Sequence, residues 1–102
     1  MEERSLDDKN MSPKTQEKYL TSMVKHLPVL RAAIRITQNE LAKKIGISRQ
    51  SMMAIETGKR PLQWANYLAL VLVFSHYDDS KRLMETLELF DSNMIAHITD
   101  VK

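Results

Sequence analysis

Only two glycines, Gly46 and Gly58, and three prolines occur in the 102 residues. That scarcity constrains the fold more than any other feature. An all-β domain needs a tight turn every 8–12 residues or so, and most such turns need Gly, Pro or Asn. Leu, Lys, Ala, Met and Glu are all frequent, and all are good helix formers. The chain is therefore expected to be all-α. Its length suits a single domain, and 43% hydrophobic residues suffice for a core.

The helix signals can be placed along the chain. Residues 1–12 are polar and aperiodic and are expected to be flexible. Ser12-Pro13 is a start signal, with Ser at the N-cap and Pro in the first helical position. Leu20, Met23, Val24, Leu27, Leu30 and Ile34 then keep helical phase across Pro28. Proline removes one intrahelical hydrogen bond, so this segment is one kinked helix or two abutting ones; the unbroken phase favours one. Thr37-Gln38-Asn39-Glu40 has the form of a capping box, and a short helix should run from Gln38 to Ile45. Ser48 can cap another, reaching about Thr57.

Pro61 is placed to open a further helix over 62–74, a segment apolar nearly all round that must be covered on most sides. In the last segment Asp78, Asp79 or Ser80 can act as a cap. Leu83, Leu87, Phe90 and Met94 make a stripe at helical spacing that could supply the cover. Residues beyond Ile95 read either as a frayed tail or as a short strand. The expected organisation is a flexible segment at 1–12, a domain at 13–74, and a helix and tail at 75–102 for packing or dimerisation.

Gly46 now has a reason. Two short helices that meet at a steep angle need a small residue at their crossing, and Ala42 can serve. They need a residue tolerant of positive φ in the turn, which is Gly46. They need a shared apolar underside, which Leu41, Ile45, Ile47, Met52 and Ile55 offer, and a cap at the second helix, which is Ser48. These are the requirements of a helix-turn-helix, here at about 38–57. At about 100° per residue, Ser51, Met52 and Ile55 face inward while Arg49, Gln50, Met53, Ala54 and Thr57 face out. Arg can bond bidentately to guanine, Gln to adenine, and Met or Ala can pack on a thymine methyl. An outward methionine is tolerable if its partner is a base edge.

Charge points the same way. Residues 21–61 carry eight Lys/Arg against Glu40 and Glu56, a net +6, between segments of net −1 and −3. A basic middle between acidic ends is the footprint expected of a polyanion-binding segment, although a basic solvated face would look the same.

TQNELAKKIGIS followed by RQSMMAIETGKRP, with flanking helices over about residues 27–74, resembles the lambda-repressor/Cro-like regulators, often called the XRE family. Members similarly show a TQ-x-ELA-x-x-x-G helix and an IE-x-G-x-R-x-P exit from the helix that reads DNA. The resemblance implies a five-helix DNA-binding domain with an additional C-terminal helix. It implies base contacts from Arg49, Gln50, Met53 and Ala54, and phosphate contacts from Gln38, Ser48, Lys59 and Arg60. Glu56 would be structural, holding the exit loop. Arg35-Ile36 replaces the glycine usual before the second helix, Thr57 stands where Asn is common, and Met52 where a β-branched residue is usual.

Other chemistries have little behind them. There is no cysteine, and His26, His76 and His97 lack ligand spacing, so neither a metal nor another cofactor is expected. No nucleophile elbow or phosphate-cradling glycine loop is present, so the chain is not expected to be an enzyme. Asp78-Asp79 suit helix capping better than paired-carboxylate chemistry. Trp64 and Tyr67 are expected in the core. No segment reaches the ~20 apolar residues of a membrane span, and no signal peptide is visible, so a cytoplasmic protein is expected. The anticipated partners are double-stranded DNA and a second copy of the chain. The rival reading is an antitoxin-type protein whose C-terminal segment binds a toxin-like partner while its middle autoregulates an operator.

Overall fold

The computed structural model describes residues 12–89, which form five α-helices and no strand. They are α1 (Pro13–Ile34), α2 (Gln38–Ile45), α3 (Arg49–Glu56), α4 (Trp64–His76) and α5 (Asp78–Thr86). The all-α, five-helix expectation matches.

α1 begins as its sequence dictates. Ser12 accepts a hydrogen bond from the Thr15 N–H at 3.1 Å, and Pro13 follows in the first turn. The helix runs unbroken through Pro28, which is exposed. Water can therefore reach the carbonyl that proline leaves without a donor. Its buried line is Met23, Leu27 and Leu30. It ends on Arg35 in the left-handed region (φ 60°), with the Ile36 N–H donating to the Arg31 carbonyl at 3.1 Å. The place usually held by glycine is thus filled by an arginine in the glycine's conformation, which a non-glycine residue adopts only at some cost.

The core is contributed by every helix: Met23, Leu27, Leu30, Leu41, Ala42, Met52, Ile55, Tyr67, Leu70, Phe74 and Met84 are buried, with Leu62 and Leu89 from the connections. α4 packs against α1, α2 and α5, whereas α3 rests mainly on α2 and α1. That peripheral position leaves one side of α3 open. Trp64 stacks on Tyr67 with ring centroids 4.8 Å apart, and the buried Tyr67 hydroxyl donates to the Leu89 carbonyl at 2.8 Å. Both aromatic residues belong to the packing, as expected.

Three local expectations need correction. Pro61 does not open α4; residues 61–63 precede the helix, which starts at Trp64 with Gln63 extended at its cap. The delay lets Leu62 drop into the core while Pro61 stays exposed. No carboxylate or serine caps α5. Tyr77 occupies that position without a side-chain bond, and Asp78 and Asp79 lie in the first turn, where their charge favours the helix dipole. Ser80 is buried, donating its hydroxyl proton toward the carbonyls of Phe74 at 2.6 Å and Tyr77 at 3.2 Å, which seals the end of α4. Leu83 and Leu87 of the expected stripe do not lie on one continuous helix. α5 stops at Thr86, and Glu88 turns left-handed (φ 57°) as the Leu89 N–H bonds back to the Met84 carbonyl at 2.9 Å. Met84 and Leu89 are buried, Leu83 and Leu87 are half-buried, and Phe90 and Met94 lie outside the described residues, as do the expectations for residues 1–11 and 96–102. Among the described residues no helix is long and apolar enough to cross a membrane.

Candidate nucleic-acid interface

α2, the turn at Gly46 and α3 form a helix-turn-helix. Thr37 and Glu40 complete the capping box: the Glu40 N–H donates to Thr37 Oγ1 at 3.0 Å, and the Thr37 N–H donates to Glu40 Oε1 at 2.8 Å. Two N-terminal donors are satisfied at once, which fixes where α2 begins. α2 ends on Gly46 with φ 84°, and the N–H groups of Gly46 and Ile47 both donate to the Ala42 carbonyl, at 2.9 and 3.0 Å. A Cβ built on Gly46 would meet nothing within 4 Å. Glycine is therefore required here by the backbone angle alone and not by crowding. Ser48 then caps α3, accepting from the Ser51 N–H at 3.0 Å.

This turn delivers α3 with its apolar side down. Met52 and Ile55 are buried against α1 and α2, a burial that stabilises by roughly 1.5–3 kcal/mol for each such side chain. On the opposite side Arg49 and Gln50 are exposed, and Met53 is 38% exposed. Neither Arg49 nor Gln50 has a side-chain hydrogen-bond partner among the described residues. Ala54 is half-buried at the edge of this face. Three of the four candidate base readers thus stand clear of the protein, and the fourth borders them.

The far end of α3 is pinned by charge. Glu56, its side chain only 5% exposed, accepts from Arg31 Nε at 2.7 Å and Arg31 Nη2 at 3.0 Å, and from Gln38 Nε2 at 3.0 Å. One carboxylate therefore ties α3 to α1 and to the first turn of α2. The bidentate guanidinium fork fixes orientation as well as position. Breaking such a pair leaves a poorly solvated charge behind, which costs more than the pair itself contributes. The structural role expected for Glu56 is realised, but through the helices beneath it. The exit loop is instead held by backbone bonds: the Lys59 and Arg60 N–H groups both donate to the Ala54 carbonyl, at 2.8 and 3.2 Å, with Gly58 at φ 82°.

Arg31 was not singled out by the sequence. The available signal was Glu56 itself, one of only two acids in a segment of net +6, placed beside the inward Met52. A carboxylate drawn inward in that setting needs a cation from beneath. The same bond commits the amide nitrogen of Gln38, so a phosphate approaching that helix end would meet the first backbone N–H groups of α2. Ser48 Oγ donates to Ser51 Oγ at 3.0 Å in addition to capping α3. Arg60 Nη1 donates to the Ser51 hydroxyl, which lays its guanidinium along the start of α3. The Lys59 side chain is exposed and makes no hydrogen bond or ion pair among the described residues. Gln38, Ser48 and Arg60 are therefore built into the frame around α3, and Lys59 projects from it.

No family model matches the chain, and no solved structure matches it. Over 37 residues, 36% of its length, the chain is 51% identical to an uncharacterized HTH-type transcriptional regulator of Methanocaldococcus jannaschii, of which the aligned stretch spans 56%. The chain thus covers little more than half of that relative, and the likeness is to a regulator carrying the same kind of motif.

Proposed function

We propose that this chain is a sequence-specific double-stranded DNA-binding transcription regulator of the lambda-repressor/Cro-like kind, acting as a repressor. It inserts α3 into the major groove. Arg49, Gln50, Met53 and Ala54 face base edges, and Gln38, Ser48, Lys59 and Arg60 face the phosphates. One observation carries the reading: an exposed arginine, glutamine and methionine share the outer side of a helix whose other side is packed and whose end is held by a nearly buried ion pair. A helix held in this way presents its side chains without having to be ordered on binding, which is what base readout needs. The basic middle segment supports it by supplying the attraction to the backbone.

A single module of this size buries about 600–1,000 Å² on DNA. Useful specificity therefore calls for two copies on a palindromic operator, with half-sites about 34–36 Å apart. The relative's printed name supports a regulator's role. The test is selection of bound duplexes from a random pool, followed by anisotropy titrations with the selected site. Arg49→Ala and Gln50→Ala should each relax discrimination at one base position by ~1–3 kcal/mol. Equal loss on selected and random duplexes would leave only a non-specific polyanion binder.

A further inference from the structure

With no cysteine in the chain, all of its sulfur is methionine thioether. Four of its methionines lie among the described residues, and they are not placed alike. Met23, Met52 and Met84 are 0% exposed, whereas Met53 is 38% exposed. Met52 and Met53 are neighbours on α3, so the helix sends one sulfur into the core and the next to solvent. An oxidant in water meets the second one first. Met53 also stands on the base-facing side, three positions after Gln50 and four after Arg49. Side chains at those spacings on a helix are neighbours. Neither Gln50 nor Arg49 has a side-chain hydrogen bond among the described residues.

We propose that Met53 is a site of reversible oxidation by hydroperoxides and that its sulfoxide weakens base readout. The inference goes beyond the DNA-binding reading and rests on it. The Sδ lone pair attacks one peroxide oxygen and the O–O bond breaks. The other oxygen leaves as water after taking up the first oxygen's proton. Sulfur loses two electrons and the peroxide gains them. The return needs two thiols, delivered by a methionine sulfoxide reductase: sulfoxide and two thiols give thioether, disulfide and water. The product acts on readout twice. A thymine methyl loses its apolar partner. The new oxygen is an acceptor one turn from Arg49 and Gln50, whose unengaged donors then bond to it in competition with base edges. Met52 has no such part, because an oxygen there would enter the core and cost packing.

Tandem mass spectrometry of the full chain after graded hydrogen peroxide, with anisotropy on selected and random duplexes, tests this. Met53 should carry the added oxygen before Met23, Met52 and Met84. The oxidised chain should bind the selected duplex roughly 10-fold more weakly, the size of one lost base contact, and random duplexes with little change, since the phosphate contacts remain. The two reductase classes, one for each sulfoxide epimer, should restore the affinity in the presence of a dithiol. Met53→Leu keeps an apolar group without sulfur; whatever its starting affinity, peroxide should leave it there. That variant retains Met1, Met11 and Met94, so an equal loss in it would assign the effect to another methionine and overturn the inference. Earlier oxidation of Met52, a circular dichroism helix signal that falls along with affinity, or a reductase treatment that restores nothing would overturn it as well. An untreated chain that binds selected and random duplexes alike would remove the DNA reading and the inference with it. An untreated chain that discriminates, and still does so once Met53 is oxidised, would remove the inference alone.

Discussion

Two helices of this small protein turn an open side to solvent, and the two sides differ in kind. The outer side of α3 offers Arg49 and Gln50 beside Met53, groups that hydrogen-bond at the ends of long stems. The outer side of α4 offers Ala65 and Leu72, which cannot hydrogen-bond at all. The supports differ as well. α3 is short, rests on α2 and α1, and is fixed by a capped start and an ion pair at its end. α4 is longer, is buried against three helices, and has no side-chain cap. Exposure alone thus says little about purpose. Donors held rigidly are what reading a polyanion would require, and apolar groups on an element the core already secures are what a protein contact would require.

That contrast can be broken at α3's anchor. Glu56→Ala leaves Arg31 and Gln38 without their acceptor, and should cost roughly 3 kcal/mol in denaturant unfolding, since the Arg31 charge left behind is largely shielded from water. A loss below 0.5 kcal/mol or so, the range of ordinary surface changes, would mean that the network does not hold α3. Next in size is the Ser48 cap. Ser48→Ala should lower stability by ~1 kcal/mol, measured in the same way, while Ser48→Gly should lower it by only a few tenths. Gly46→Ala isolates the turn: with open space around the added methyl, only the left-handed strain of about 1 kcal/mol remains. A much larger loss would point to crowding at the α2–α3 crossing. Smallest is Lys59→Ala, which should leave stability unchanged, weaken selected and random duplexes alike, and reduce the salt slope by about one unit. An unchanged slope would remove Lys59 from the phosphate contacts.

The parts legible in the sequence are those in which local chemistry decides. The caps at Ser12, Thr37 and Ser48 and the left-handed turn at Gly46 lie where their residues put them, because each is settled within four positions of chain. The phase of α3 was equally plain, since two buried and three exposed positions in eight residues leave one solution. What the sequence hid depends on distant partners. Arg31 and Glu56 are 25 positions apart, and nothing local pairs them. The late start of α4 follows from Leu62 finding the core, and the early end of α5 from Met84 and Leu89 being buried in place of a longer stripe. Arg35 shows the reverse case: the glycine conformation persists without the glycine, because the following turn leads directly into the capping box of α2.

The central claim, that α3 and not α4 meets DNA, is tested most directly by methyl NMR of the chain titrated with its selected duplex. The Met53 ε-methyl should shift or broaden strongly as duplex is added, while the Leu72 δ-methyls keep their free positions. Movement at Leu72 with Met53 undisturbed would place the nucleic acid on the wrong side of the molecule and contradict the account.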